Sequence, residues 1–229
     1  MKKEEIKIAG NLTINDWKDI KEKLETPNNK LWGFAAHFFE ERIKTRYLDP
    51  IHAIQKLCKK KGEGFAMVNL QCSLIETFEC FINGWLFYLD DNCKGCKKGK
   101  NKMYWKDTIE KEIEKHSNKK IFISFFNRFN NEFKINGEDF YTNVRCGLLH
   151  ETQTKGNWVI RVTEKDTKKC DKEDRDKYII YRNNFQDQLK ELLEEYQDCL
   201  IKNEDFREIE AEDLRKNFIA KMDHICKQS

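Results

Sequence analysis

The stretch from Phe65 to Leu89 constrains the fold of this chain more than any other part of its 229 residues. It reads FAMVNLQCSLIETFECFINGWLFYL and carries little polar surface on any side of a helix. A helix that is apolar all round has to be buried, so we expect this stretch to form the central helix of the fold. We expect its few polar side chains to lie where the helix emerges to solvent, because carboxylates are seldom buried without a partner. These side chains are Asn69, Gln71, Glu76 and Glu79.

Most of the remaining chain also has apolar residues at spacings of three and four, the period of one face of an α-helix. The clearest of these stripes begins at Leu31 and runs to about Tyr47. Thr13 or Asn15 is placed to cap a shorter helix before it. Further helices are predicted after Pro50, over 121–129, from 185 to 201 and from 214 to 225, with a short charged one over 105–115. The fold class we predict is all-α, a helical bundle.

Two short segments break this helical pattern. Trp158–Val162 and Tyr178–Tyr181 are rich in β-branched and aromatic residues, and a charged stretch separates them. We predict a small β-hairpin near residues 157–182, inserted into the helical fold. The sequence shows no linker long enough to separate two domains. We therefore expect one domain over 1–229, with residues 1–10 loosely ordered and 183–226 forming C-terminal helices.

The charge of the chain is nearly balanced. Its 43 basic and 40 acidic residues leave a formal net charge of +3, which is too little to attract nucleic acid in bulk, so any such site has to be local. The lysine-rich loop at 94–102 is one such place, although a loop of this kind is more often simply solvated. No apolar run reaches membrane-spanning length, and the first residues lack the apolar core of a signal peptide. We expect a cytoplasmic protein with no membrane partner.

Nine cysteines, an odd number, are spread along the chain, and several fall on apolar helical faces. We interpret most of them as reduced packing residues. Cys93 and Cys96 form a CxxC, but a structural zinc site needs a second pair or nearby histidines, and none follows closely. We expect no metal ion and no cofactor.

The most suggestive polar residues lie between Tyr141 and Glu151, in the stretch YTNVRCGLLHE. Arg145 carries a permanent planar charge suited to a phosphate, and His150 is the side-chain type that titrates near neutral pH. Cleavage of RNA without a metal needs proton transfer at the ribose hydroxyl and the leaving oxygen, and positive charge on the phosphate between them. The two residues supply such groups. A helical apolar stripe runs alongside them, formed by Phe140, Val144 and Leu148.

The spacing of the two residues raises a geometric difficulty. Residues five apart on an ideal α-helix are separated by about 140° around the axis and about 7.5 Å along it, so Arg145 and His150 do not share a face. They can converge through the reach of long side chains, through a distortion around Gly147, or across a twofold axis from a second copy of the helix. We favour the dimer, because a groove lined by two such helices offers both residues twice.

Two other interpretations of this stretch stay open. Cys146 does share a face with His150, but a cysteine-protease interpretation lacks an evident oxyanion site. In a purely structural interpretation, Arg145 is a surface cation paired with an acid such as Glu76 or Glu138. His150 then satisfies main-chain carbonyls at a helix end.

With these residues in view, the chain resembles the HEPN superfamily of all-helical domains. Ribonuclease members of that superfamily carry an arginine followed by four to six residues and a histidine. Arg145, CGLL and His150 match this pattern. The wider stretches NVRCGLLHETQTKGNW and GEGFAMVNLQCSLIETFECFINGW are similar to a set of bacterial proteins of the superfamily.

The resemblance implies a homodimer with its active cleft between the protomers, and metal-independent endoribonuclease activity on RNA in toxin, antiphage or RNA-processing roles. By position it makes Arg145 and His150 catalytic. We select Glu76, Cys146 and Asn143 as supporting residues around them. An antitoxin or another regulatory protein is a further implied partner.

Two positions depart from the family pattern. Cys146 stands where many such toxins have a polar residue, and Thr152 stands where some have a tyrosine that a partner enzyme adenylylates. Some members of the superfamily have no nuclease activity, so a non-catalytic helical binding or dimerisation module is the alternative function. A nucleotide-sensing domain has little support, because neither standard glycine-rich phosphate loop occurs in the sequence.

Overall fold

The computed structural model describes residues 5–24, 29–57, 62–90, 102–106, 117–162 and 178–228. Helices dominate these ranges, which confirms the predicted mainly α fold. Two π-helical turns are inserted, Lys44–Leu48 before α3 and Tyr141–Arg145 before α8. The α-helices are α1 Ile14–Lys21, α2 Asn29–Ile43, α3 Asp49–Leu57, α4 Glu63–Asn83, α5 Asn118–Arg128, α6 Asn130–Phe133, α7 Gly137–Phe140, α8 Cys146–Glu151, α9 Arg182–Lys202 and α10 Ala211–Gln228.

Helix α4 is formed by the long apolar stretch. It follows Gly62, which has a φ of 98°, and it ends at Gly84, which has a φ of 66° and whose N–H bonds to the carbonyl of Cys80. The predicted continuation to Leu89 is wrong, because the left-handed glycine stops the helix. The chain continues instead as the strand Leu86–Asp90.

Helix α4 is also the one described helix that is long and apolar enough to cross a membrane. Of its most apolar window, 61% is buried inside the fold. This burial is what the core helix of a soluble protein shows.

Aromatic side chains fill the core around α4. Phe78 is fully buried, and its ring centroid lies 5.4 Å from that of Tyr196 in α9 and 6.3 Å from that of Phe129. Phe39 of α2 contacts the same Tyr196 at 5.0 Å. Each such pair contributes about 0.5–1.5 kcal/mol beyond the burial of its area. The cluster therefore ties α2 and α9 to the central helix.

Two of the four polar side chains in α4 are fully buried, which contradicts the expectation that they reach solvent. Glu79 accepts a hydrogen bond from Ser124 at 2.6 Å and pairs with Arg128 at 3.2 Å. Gln71 donates to the main-chain carbonyl of Arg182 at 2.9 Å. Their burial is tolerated because α5 and α9 supply polar partners. The other two side chains keep contact with solvent, as expected.

Three polar residues of α10 bind the chain at the end of α4, and we call them the α10 polar stripe. Each donates a side-chain hydrogen bond of 2.8 Å to a main-chain carbonyl. The pairs are Asn217 with Ile82, Lys221 with Trp85, and His224 with Phe87. All three side chains are buried, and burial lowers the pKa of both Lys221 and His224. The ammonium group of Lys221 lies just beyond the carbonyl end of α4, which carries partial negative charge.

The described strands form three two-stranded sheets: β1 Lys7–Ala9 with β2 Leu12–Thr13, β3 Leu86–Asp90 with β4 Lys102–Lys106, and β5 Trp158–Arg161 with β6 Tyr178–Tyr181. Strands β5 and β6 lie where the sequence predicts them. They pair in parallel, however, with Trp158 opposite Tyr178, so the predicted hairpin is wrong. A parallel pair needs a crossover of about a dozen residues or more, and the charged stretch between the strands is long enough to supply one.

The antiparallel pair β3–β4 falls where the sequence predicts the end of a helix and a loop. Its register sets Leu86 opposite Lys106. The charged helix predicted over 105–115 is therefore wrong at its first two residues, and its remainder lies outside the described residues. Most of the lysine-rich loop lies outside them as well, and so do Cys93 and Cys96.

Residues 7–10 belong to the fold and are not loosely ordered as predicted. Ile8 and Ala9 are buried, and the carbonyl of Ile8 accepts a hydrogen bond from Arg42 at 2.5 Å. Thr13 is the cap of α1, where its hydroxyl accepts from the N–H of Asp16 at 3.3 Å. Of the two predicted caps, Thr13 is right. Residues 1–4 lie outside the described ranges.

Candidate functional site

The stretch 137–151 combines two regular turns with a π-helical turn between them. The π turn Tyr141–Arg145 is closed by a hydrogen bond from the N–H of Cys146 to the carbonyl of Tyr141. That bond reaches back five residues, where an α-helix reaches back four. Helix α8 follows and ends at Thr152, which has a φ of 58°. Single π turns of this kind are frequent at functional sites.

The predicted apolar stripe of this stretch is confirmed. Phe140, Val144 and Leu148 are all buried. The ring of Phe140 stacks on that of Phe122 in α5, with their centroids 5.9 Å apart. The stripe seats the stretch against the core and leaves its other side toward solvent.

Arg145 is held by Glu76 of α4. Its Nε donates to Oε1 of Glu76 at 2.8 Å, and the two side chains are 17% and 18% exposed. The guanidinium also lies over the ring of Tyr141, 5.7 Å from its centroid. The sequence suggests this pairing both as support for a catalytic arginine and as a structural ion pair, and the contact fits either interpretation.

The electrostatics of the pair keep the arginine charged. Burial raises the pKa of Glu76, and the charge and hydrogen bond of Arg145 oppose that rise. Burial alone would lower the pKa of Arg145, but the charge and hydrogen bond of Glu76 outweigh it, so the pKa of Arg145 is raised. We take the ionised pair as the resting state, because the charge of each partner favours the ionised form of the other.

His150 lies on the last turn of α8 with its side chain exposed. Within the described residues it makes no hydrogen bond or ion pair, either to Arg145 or to any other group. The turn between the two residues is α-helical, so their separation of about 140° around the axis remains. A single chain therefore does not bring the two predicted catalytic residues together. Leu149, next to His150, is 50% exposed.

Cys146 lies partly buried between these two residues. Burial, together with the neighbouring thiol of Cys146, raises the pKa of Tyr141. Cys72 of α4 interacts electrostatically with the same thiol, and burial raises its pKa well above the usual range. The described contacts of Cys146 are with Tyr141 and not with His150, so they add nothing to the cysteine-protease interpretation.

Asn143 uses its polar groups within the fold. Its side-chain amide donates to Asp139 at 2.7 Å, and the other oxygen of that carboxylate accepts from the indole N–H of Trp158 at 2.7 Å. The carbonyl of Asn143 accepts from the N–H of Lys155, also at 2.7 Å. Asn143 therefore joins the π turn to the loop 152–157 and to β5.

Gly147 allows that loop to fold back onto α8. A Cβ at this position would lie 2.6 Å from the carbonyl oxygen of Gln153, closer than any real contact. Gly147 lies within the α-helical residues of α8, so it does not distort the helix in the way that would bring Arg145 toward His150. Gly147 therefore allows the backbone of the loop 152–157 to lie close to α8.

Two further residues belong to this site although no motif marks them. Tyr141 precedes Arg145 by four residues, a spacing that places both on one helical face and could have identified it. Lys155 reaches the end of α8, where its Nζ lies 3.2 Å from the carboxylate of Glu151. It arrives there because the loop folds back, which no local sequence pattern predicts.

In the described part of the chain, no three His, Cys, Asp or Glu side chains lie close enough together to hold a metal ion. Comparisons of the chain with protein-family models, with curated proteins and with solved structures find no match. A function for this chain has to be argued from its own residues.

Proposed function

We propose that the chain is a homodimeric, metal-independent endoribonuclease of the HEPN type, with Arg145 and His150 as its catalytic residues. One observation carries the proposal. Arg145 is oriented by Glu76, kept cationic and still partly open to solvent, on the same helical stretch as an exposed histidine with no described partner. Positive charge that is oriented before the substrate arrives is what stabilises charge developing on a phosphate.

The proposed reaction moves one proton through His150. The imidazole takes the proton from a ribose 2′-hydroxyl, and the 2′-oxygen attacks the adjacent phosphorus as the bond to the 5′-oxygen breaks. The imidazolium then returns a proton to that leaving oxygen, so the products are a 2′,3′-cyclic phosphate and a 5′-hydroxyl. Arg145 binds the non-bridging oxygens, where negative charge accumulates.

A second copy of the chain would bring an arginine and a histidine together, which one copy does not do. A twofold axis beside α8 would set the arginine of one protomer opposite the histidine of the other, giving two composite sites. The exposed Leu149 lies beside His150 and would be covered by such an interface. The role in toxin–antitoxin systems or antiphage defence and a restraining protein partner are parts of this proposal that rest on the resemblance. The cytoplasmic location remains an expectation from the sequence.

Cleavage of single-stranded RNA by the purified chain in EDTA tests the mechanism. Arg145→Ala and His150→Ala should each abolish cleavage. His37→Ala, which changes a histidine on α2 that is 50% exposed, is the matched control and should cleave normally. Activity that disappears with the chelator, or that survives both substitutions, contradicts the proposal.

Mixed dimers test whether the site is composite. Arg145→Ala and His150→Ala chains are co-expressed with different tags and isolated as dimers that contain one of each. One of the two sites in such a dimer keeps both residues, so about half of the wild-type activity should return. Inactive mixed dimers would place both residues in a site formed by one chain.

A non-catalytic dimerisation or binding module is the second candidate. It is favoured by the carboxylate partner that Arg145 already has and by the lack of a described contact with His150. In that case RNA stays intact with every variant. Arg145→Ala then changes the sedimentation behaviour or the thermal midpoint of the protein.

A further inference from the structure

A depression lies at the start of α4. The first turn of this helix and Arg182, at the start of α9, line an open depression of about 370 Å³ together with Ile160–Val162. Small-molecule sites have volumes of about 300–1,000 Å³. The depression is separated from Glu76 by about 18 Å along the helix axis, so it is distinct from the proposed ribonuclease site.

The N-cap residue of α4 supplies no side-chain cap. Gly62 occupies the N-cap position and offers no acceptor of its own. The N-terminus of an α-helix carries a partial positive charge equivalent to about half an elementary charge, and its first N–H groups have no acceptor within the helix. In α4 the N–H of Phe65 already bonds to the carbonyl of Gly62 at 3.0 Å, so an anion would bind the N–H groups that precede it. Such an end attracts an anion.

Arg182 brings a second positive charge to the same place. It is only 4% exposed, and its Nη1 lies 3.0 Å from the position of a Cβ at Gly64, so the guanidinium lies against the first helical turn. Its buried Nε has no hydrogen-bond partner among the described residues. The carboxylate of Glu63 is 3.8 Å from Nη2, which is beyond hydrogen-bond distance. Glu63 therefore pairs with the buried guanidinium by charge alone, and an anion that also accepts its hydrogen bonds would be a better partner.

We propose that this depression binds the phosphate group of a small organic phosphate monoester, with Arg182 and the first turn of α4 as its anion site. The planar guanidinium suits phosphate oxygens, and within the described part of the chain its two terminal N–H₂ groups make no hydrogen bond. Phe65, which is 41% exposed, and Ile160 form an apolar side of the depression. The organic part of the ligand packs there.

Substitutions of Glu63 and Arg182 should change the affinity for phosphate in opposite directions. Its carboxylate lines the same depression, competes for Arg182 and repels a bound phosphate. Glu63→Gln removes that charge and keeps the shape, so it should tighten binding by about threefold or more. Arg182→Lys keeps the charge but loses the planar fork of two terminal donors, so it should weaken binding by about tenfold or more. Arg207→Lys, outside the depression, is the matched control and should leave binding unchanged.

Calorimetric titration of the full chain measures these effects, with inorganic phosphate, adenosine 5′-monophosphate and adenosine as probes. The monophosphate should bind more tightly than phosphate, and adenosine should not bind measurably. Phe65→Ala should weaken binding of the monophosphate and leave binding of phosphate unchanged.

Three outcomes overturn the proposal. The first is that neither phosphate nor the monophosphate binds, and the second is that Glu63→Gln leaves affinity unchanged or lowers it. The third is that phosphate binds as tightly as the monophosphate, which would refute the organic ester. If Arg182→Lys does not fold, Glu63→Gln and Phe65→Ala still decide between these outcomes, since neither removes the buried guanidinium.

Discussion

Breaking the contact between Arg145 and Glu76 measures how firmly the candidate catalytic arginine is held. The hydrogen bond is 2.8 Å long and both side chains are less than one-fifth exposed. A hydrogen bond to a charged group contributes about 1.5–3 kcal/mol in such a setting. A single substitution also changes the burial cost that raises the pKa of Glu76, so the coupling energy of a double-mutant cycle is the informative quantity. For Arg145→Met and Glu76→Gln we expect a coupling of about 1.5–2.5 kcal/mol.

The assay is urea denaturation of the wild type, both single variants and the double variant. The matched control is the ion pair of Lys202 and Asp198, which has nearly the same length, 2.7 Å, but side chains that are 54% and 62% exposed. Its coupling should be much smaller than that of Arg145 and Glu76, because water and salt screen the charges of an exposed pair. We thus predict that the two pairs differ in coupling energy because they differ in burial, since their N–O distances are nearly equal. A coupling at Arg145 no larger than that of the control would refute the view that Glu76 orients this arginine.

Three further predictions concern stability, measured by urea-denaturation midpoints. Tyr196 is fully buried and its hydroxyl has no described hydrogen-bond partner, so Tyr196→Phe should stabilise the protein by about 1 kcal/mol. Its control is Tyr47→Phe, which removes a hydroxyl that is hydrogen-bonded to Thr77 at 2.8 Å and should destabilise the protein by a similar amount. Gly147→Ala should cost about 1–3 kcal/mol, because its Cβ would collide with the carbonyl of Gln153. Burial lowers the pKa of His224 from its ordinary 6.5, so the unfolded chain binds a proton more readily, and stability should fall as the pH falls below 6.5. His224→Gln should reduce this slope.

Each of these predictions has an outcome that contradicts it. A destabilised Tyr196→Phe protein would mean that the hydroxyl has a partner. An unchanged midpoint for Gly147→Ala would mean that the loop 152–157 does not pack on α8. Equal slopes for the wild type and His224→Gln between about pH 7 and about pH 5 would mean that the histidine is not held neutral in the folded state.

The helices could be predicted from the sequence where an apolar stripe decides the structure. Phe140, Val144 and Leu148 show this, since their period alone places a buried helical face. The end of α4 could not be predicted as well, because the apolar residues after Gly84 continue the pattern of the helix. The parallel pairing of β5 with β6 was out of reach for another reason. Side-chain composition indicates a strand but not the direction of its neighbour.

The candidate site was predictable in its residues but not in its contacts. Arg145 could be selected from its spacing to His150, yet its ion pair is with a residue 69 positions away. Glu76 and Glu138 were equal candidates for that pairing, and the structure assigns Glu138 to Lys119 at 2.7 Å. The π turn was not foreseen, because one extra residue in a turn barely changes the apolar period.

The α10 polar stripe has a consequence for how the chain folds as it is synthesised. Its three hydrogen bonds join residues that are 135, 136 and 137 positions apart. Until α10 has left the ribosome, the carbonyls of Ile82, Trp85 and Phe87 lack these partners and have to accept hydrogen bonds from water instead. Contacts of such long range form late. We therefore expect the end of α4 and the adjoining strand to reach their native conformation only after the helices before them have formed on the nascent chain.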